Sequence, residues 1–416
     1  MVIIMKELIR FEIKKILDRR VNRIALFLGL ALIVFSNLAL IGGESLSLDE
    51  TVTYRGREAI LRQDELENAL ADVLDEEFLT DFLKNYQQRL AQITAESGQD
   101  PAAYLWSLIG PYSNLYSLIA IHYREWNDEL FTWEDLAGIP TENGLHFYER
   151  RLEKIDNMLN AEYSYGNYTR AEKEFWMQKA QNVHTPFRWG NREVWNRILE
   201  SICLLVWLLF VISICTAPVF SGEYQSRMDA LLLSSRHGKG RLIPAKIAAA
   251  FLLSFSYMLF CAMVSIGINV VLLGVQGHDL PVQIFNAIIP YDWTLWQVCA
   301  VNLLVILLIS ALLTGSSLLL SAICKSPMAV LILDILLFYG TLFIPSSKTS
   351  WFWNHIFCLL PLHCFNMKDV LKMYISYPLG DKVISYLGMI LISYSLLAVL
   401  CVLCTGRFFR SHQVGR

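Results

Sequence analysis

Four residues with metal-binding side chains fall close together in WFWNHIFCLLPLHCFNM: His355, Cys358, His363 and Cys364. Imidazole and thiolate both bind zinc, but their spacing matches no structural zinc pattern, and no glutamate stands among them as a base. The aromatic content fits an interfacial or re-entrant segment better, with Trp and Tyr at headgroup depth. No metal site is expected. Nor is a nucleotide site: a phosphate-cradling loop reads GxxxxGK[ST], and the nearest stretch, Arg236-His237-Gly238-Lys239-Gly240, lacks the first glycine and the hydroxyl. Energy-driven work would need ATP handled by another polypeptide. A membrane-embedded hydrolase lacks a paired nucleophile and base. Asp334, in AVLILDILLFYG, is the remaining chemical oddity. A carboxylate in an apolar run is costly and often functional. Asn269, Asn302 and Thr314 are its available hydrogen-bonding partners. It reads either as a polar spot on a translocation path or dimer seam, or as a carboxylic acid bonded between helices.

A second group lies in SGEYQSRMDALLLSSRHGKGRLIPAK, a polar, basic stretch (residues 221–246) between two apolar runs. Phe220, Tyr224, Met228 and Leu231 share one helical face, and Glu223 and Arg227 stand at i, i+4 with the acid first, the favourable order. Pro218 breaks the preceding run, Pro244 suits a first helical turn, and Gly238 suits the position after a helix. The pattern predicts a short amphipathic helix stiffly joined to two spans. The competing reading is a basic loop lying on anionic lipid.

Positioning these residues falls to long apolar elements. The 416 residues are 55% hydrophobic and 18% charged, below the roughly 25% charge of soluble domains. Apolar runs near 18 residues or more are read as bilayer-spanning helices. Six occur, at residues 24–42, 198–220, 247–273, 298–323, 328–344 and 383–405. The first, without a clean small-x-small cleavage site, is expected to be a retained span. Residues 1–23 read as an amphipathic interfacial helix, with Met5, Ile9, Ile13, Ile16 and Leu17 on one face and Arg10, Lys14 and Asp18 on the other. Lys and Arg cluster in residues 1–23, 221–246 and 407–416, while 274–297 has none. The positive-inside rule then predicts cytoplasmic termini and a cytoplasmic 221–246 loop. Lys348, Lys368, Lys372 and Lys382, in the outer segment 346–382, run against it.

Residues 44–197 are then an extracytoplasmic, mainly helical domain, with stripes at Leu66, Leu70, Val73 and Leu74 and at Phe78, Phe82, Leu83 and Tyr86. None of the nine cysteines lies there, so it is expected to fold without disulfides, as suits a bacterial surface. The fold class is an all-α polytopic membrane protein: span one at 24–43, spans two to six within 198–406, and a cytoplasmic tail at 407–416.

APVFSGEYQSRMDALLLSSRHGKGRLIPAKI resembles the cytoplasmic loop of ABC-2-type transporter permeases, the membrane subunits of ABC exporters. TPFRWGNREVW and TYRGREAILRQDELENAL resemble the branch of that family with a large domain after the first span. The resemblance implies a type V exporter fold with two six-span permease chains, a homo- or heterodimer, and separate ATP-binding subunits that carry ATP and Mg. By position, Glu223, Tyr224, Arg227, Met228, Leu231 and Leu232 would meet the ATPase, and Arg227 stands where relatives often have a small residue. The interfacial helix would be residues 1–23, and 346–382 the re-entrant segment. The expected function is export of an amphipathic peptide, antibiotic or lipid across a bacterial plasma membrane, with the bilayer and the ATPase as partners and no nucleic acid. The alternative is a membrane sensor whose outer domain binds a ligand without transport.

Overall fold

The computed structural model describes residues 2–48, 52–97, 109–123, 133–164, 166–228, 238–380 and 382–411. The chain is mostly helical. It opens with α1 (Val2–Leu17) and α2 (Arg20–Gly42), an uninterrupted apolar helix. The side of α1 turned to the protein is not purely apolar: Glu12 is buried beside Ile16, while Phe11 is exposed.

The polar region follows. A hairpin pairs Ser45–Ser47 with Thr53–Arg55, and the helices are α3 (Arg57–Asn68), α4 (Glu76–Ser97), α5 (Ser113–Tyr123), α6 (Phe147–Asn160) and α7 (Arg170–Gln181). The expected stripes enter its core in part: Leu74, Leu83 and Tyr86 are buried with Leu79, Trp176 and Phe187, while Leu66, Leu70, Phe78 and Phe82 are half-buried and Val73 is exposed. Val73 and Leu74 are not helical; they pair as a strand with Arg188 and Phe187. Arg151 on α6 is the chief bolt, donating to the carbonyls of Ala180 (3.0 Å), Ala287 (2.6 Å) and Ile289 (3.3 Å). The last two belong to the connection between later long helices, so the polar region is seated on the helical bundle. One continuous apolar cluster joins them, from Ile33 and Leu209 to Leu83 and Trp176.

From Arg192 the chain runs helically to Gln225 as α8 (Arg192–Cys203), a tight turn at Leu204–Trp207, α9 (Leu208–Thr216) and α10 (Pro218–Gln225). Pro218 interrupts this path rather than ending it, because its missing N–H falls at a first-turn position. A π-helical turn, Gly238–Leu242, leads into α11 (Ile243–Leu273), with Pro244 in its first turn. Gly238 therefore sits in a helix entry, not at a helix end. After α12 (Leu295–Ile323) come α13 (Pro327–Phe338), the short helices α14 (Trp351–Cys358) and α15 (Met367–Lys372), a hairpin pairing Ser376–Leu379 with Lys382–Ser385, and α16 (Tyr386–Ser411).

Among the described residues five helices are long and apolar enough to cross a bilayer: Arg20–Gly42, Arg192–Gln225, Gly240–Leu273, Leu295–Ile323 and Tyr386–Arg410. The run at 328–344, expected as a sixth, differs. Its helix stops at Phe338 and continues only as a 3-10 turn, Gly340–Phe343. A 12-residue helix rises about 18 Å, short of the roughly 30 Å hydrocarbon core.

Candidate functional site

The stretch around Glu223 is where the chain's ends and its long helices meet. α10 begins at Pro218 and is held by four other elements. On α12, the Ser321 hydroxyl accepts from the Phe220 (3.0 Å) and Ser221 (2.9 Å) amides and donates to Ala217 O (2.6 Å). One turn on, the Tyr224 hydroxyl donates to Ala322 O at 3.0 Å. On α16, Phe409 packs against Phe220 at 4.6 Å and Tyr224 at 5.9 Å between ring centroids.

The remaining two contacts are ionic. Glu223 Oε1 accepts from Lys246 Nζ of α11 at 2.5 Å and from Lys15 Nζ of α1 at 2.6 Å. Lys246 also reaches Glu12 Oε2 at 2.9 Å. Two acids and two bases give zero net charge, the condition under which such groups tolerate burial. Glu12, Glu223 and Lys246 are all buried. Burial pushes the half-exposed Lys15 ammonium down, but the hydrogen bond and charge of Glu223, with Glu12 behind it, leave it raised. Gly222 lets the Arg19 guanidinium lie close to α10, since a Cβ there would stand 2.8 Å from it and the arginine would have to shift.

This geometry corrects the sequence reading of the segment. Glu223 does not pair with Arg227 and does not face outward; it ties three helices together. Phe220 is fully buried and Tyr224 is hydrogen-bonded inward, so neither forms an open face with Met228. The helix expected to run past Leu231 ends at Gln225. Arg227 N donates to Tyr224 O (3.1 Å) and Met228 N to Glu223 O (2.9 Å), with Arg227 left-handed at φ 54°. These two bonds are a Schellman ending, with arginine where glycine is usual. Arg227 and Met228 are exposed; Leu231 and Leu232 lie outside the described residues. The signals for the missed partners were a glutamate on the inner stripe of the first helix and a lysine one turn inside an apolar run.

Asp334 and its expected partners are dispersed. Asn269 Nδ2 donates to Asn37 Oδ1 at 2.8 Å, and the Ser265 hydroxyl donates to the same oxygen at 3.1 Å, joining α11 to α2. Asn302, on α12, is buried beside Cys203. Thr314 donates to Ser310 O in its own helix. Asp334 is 1% exposed, and the polar side chains bearing on it are Ser213 and Ser317. The structure therefore pairs Asp334 with neither Asn269, Asn302 nor Thr314.

In the 346–382 segment, His355 contacts the Trp351 carbonyl through Nδ1 (2.8 Å) and the Ser376 carbonyl through Nε2 (3.1 Å). The Cys364 thiol points to Cys358 O at 3.3 Å and accepts from the Tyr394 hydroxyl at 3.2 Å. Among the described residues no three His, Cys, Asp or Glu side chains are grouped to hold a metal.

Two stretches distant in sequence, TYRGREAILRQDELENAL and TPFRWGNREVW, come together. Asp64 Oδ1 accepts from the Glu193 amide at 3.0 Å, and Asn114 bridges Glu67 (2.5 Å) and Glu193 (3.1 Å). Burial, with neighbouring carboxylates, raises the carboxyls of Asp64 and Glu67 to about 7 each, against the pull of the Glu193 amide on the first and of Arg192 on the second. No family model matches this chain, and neither curated proteins nor solved structures give a match.

Proposed function

We propose that the chain is the permease subunit of an ATP-driven ABC-2-type exporter in a bacterial plasma membrane. The observation that carries this reading is the four-sided anchorage of α10, whose ion pairs reach α1 and the root of α11. A segment that leaves such an anchor cannot be displaced without straining the helices tied to it. Pushing on residues 226–242 would therefore load α1 through Lys15 and α11 through Lys246. That is the mechanical need of a subunit without its own ATP site. Arg227 and Met228, both exposed, are the described surface offered to a separate ATPase, and Glu223 transmits the load rather than touching the partner.

In this reading α13 and its following turn complete a sixth crossing, the termini are cytoplasmic, and residues 44–197 lie outside. An apolar groove of about 670 Å³ between α2, α9 and α13, lined by Leu28, Phe210 and Tyr339 among others, suits a second permease chain or an amphipathic cargo. The deciding experiment is gentle extraction of the tagged chain from its own membranes. Co-purification of an ATP-binding subunit, lost on Met228→Asp, is expected. Recovery of the chain alone, with no ATPase activity in the preparation, would sink the proposal.

A further inference from the structure

A pocket of about 480 Å³ opens between the turn preceding α7 and the 346–375 segment, far along the chain from the α10 anchor. Its size falls within the roughly 300–1,000 Å³ of small-molecule sites. The walls are built, not incidental. Ser164 donates to Lys348 O at 2.6 Å, closing one side. Asn354 holds the other by accepting from the Ser347 amide and donating to its carbonyl, both at 2.8 Å. Trp351 stacks on His355 at 3.7 Å, and Gly166, at φ +123°, lets the turn lie against that indole, since a Cβ would approach it to 3.2 Å. The interior surface is apolar, supplied by Trp351, Phe357, Met373 and Ile375.

The polar groups lining it are unequal. Glu172 is buried and its oxygens are engaged by the Thr169 amide (2.9 Å), the Thr169 hydroxyl (2.8 Å) and the Ser376 hydroxyl (2.8 Å). Asn167 spends its carbonyl oxygen on the Tyr163 amide at 2.8 Å. Lys348 is exposed and has no ion pair among the described residues. The pocket thus combines a mostly apolar lining with one exposed cation, Lys348, that no carboxylate neutralises among the described residues. Beside it, Phe343 is 87% and Phe352 69% exposed, as befits side chains that meet lipid.

From this we infer that the pocket binds an amphiphile with one apolar chain and an anionic head, the head at Lys348 and the chain against Phe357 and Met373. The site needs no ATPase and no second chain, so it stands apart from the exporter reading, and its failure leaves that reading in place. The test uses the full chain in phosphatidylcholine nanodiscs with a diazirine-bearing palmitate, adducts being mapped by mass spectrometry. A diazirine-bearing palmityl alcohol is the uncharged control. Labelling of residues 346–358 and 373–375 by the acid is expected, at least fivefold above the alcohol. It should fall at least fivefold in K348E and in M373W, with K348R retaining it. Equal labelling by acid and alcohol would overturn the inference, as would labelling unchanged in K348E. Lys348 is at the surface, so that variant decides the matter even where M373W fails to fold.

Discussion

Lys246 Nζ lies 2.5 Å from Glu223 Oε1 and 2.9 Å from Glu12 Oε2, so one ammonium joins α1, α10 and α11. Breaking a buried pair from one side leaves a charge without its counterpart, at a cost of about 3–5 kcal/mol. Lys246→Met should therefore lower thermal stability sharply in detergent, and Glu223→Gln nearly as much. The double variant should lose less than the sum, with a coupling above ~1 kcal/mol in a double-mutant cycle. Additive losses would mean that the cluster is not held by ion pairing. Lys15→Met, at the half-exposed edge, should cost much less.

Arg227 ends α10 in the left-handed region, where a side chain costs about 1–2 kcal/mol relative to glycine. Arg227→Gly should stabilise the chain by about 0.5–1 kcal/mol after the glycine's own entropy cost. Arg227→Ala removes the charge but keeps the Cβ, so it should be close to neutral. A gain from alanine equal to that from glycine would place the effect in charge, not conformation. The same glycine would show whether the arginine's charge is needed by an ATPase.

The pH response of the polar region contains two opposing parts. Asp64 and Glu67 are buried acids held near 7, above their unfolded values, so their contribution is fully present at low pH and is lost as pH rises toward 7. His122 is the reverse. Burial, then Arg151 and Lys154, push it down to about 3, so its contribution is present above its unfolded value and shrinks as pH falls. Acidifying from pH 8 to 5 should raise the wild type's melting temperature, because two carboxyls each gain across that range while one imidazole loses across only part of it. Asp64→Asn, which keeps an acceptor for the Glu193 amide, should cut that gain clearly. Parallel profiles for wild type and variant would refute the burial argument.

Helices α2, α11, α12 and α16 were legible because each is an unbroken apolar run, and hydrophobic length is a local property. In residues 328–344 the same reasoning overestimates the length of the α-helix, which stops at Phe338. Their apolar count is sufficient, but Gly340 and Pro345 shorten the helix, and composition does not register that. The Glu223 site was half legible. Its charge and position stood out, yet a local i, i+4 partner was the only one spacing could suggest, whereas Lys15 lies 208 residues away and Lys246 lies 23. The inward turn of Phe220 and Tyr224 depends on Phe409 and on Ser321, which no local pattern connects to them. The hydroxyls around Asp334 were likewise hidden, since helix depth and rotation decide which of many serines meets it.

Arg151 fixes how the polar region sits on the bundle. The residue is 2% exposed and its guanidinium donates to three backbone carbonyls; burial pushes its pKa down from the arginine range. Arg151→Met fills much of the volume but leaves the carbonyls of Ala180, Ala287 and Ile289 without these donors. Each buried orphan costs about 1–3 kcal/mol, so a loss on the order of 3 kcal/mol or more is expected. Lysine cannot reproduce the planar fork and should recover only part of it. The effect should be local in hydrogen exchange, with faster exchange at the Phe285 and Ile289 amides, which close turns onto Val282 and Asn286. The α10 ion pairs lie on other elements, so exchange there should be unchanged. Faster exchange in α10 with protection kept at residues 285–289 would mean that Arg151 does not seat the polar region, and that the apolar cluster alone does.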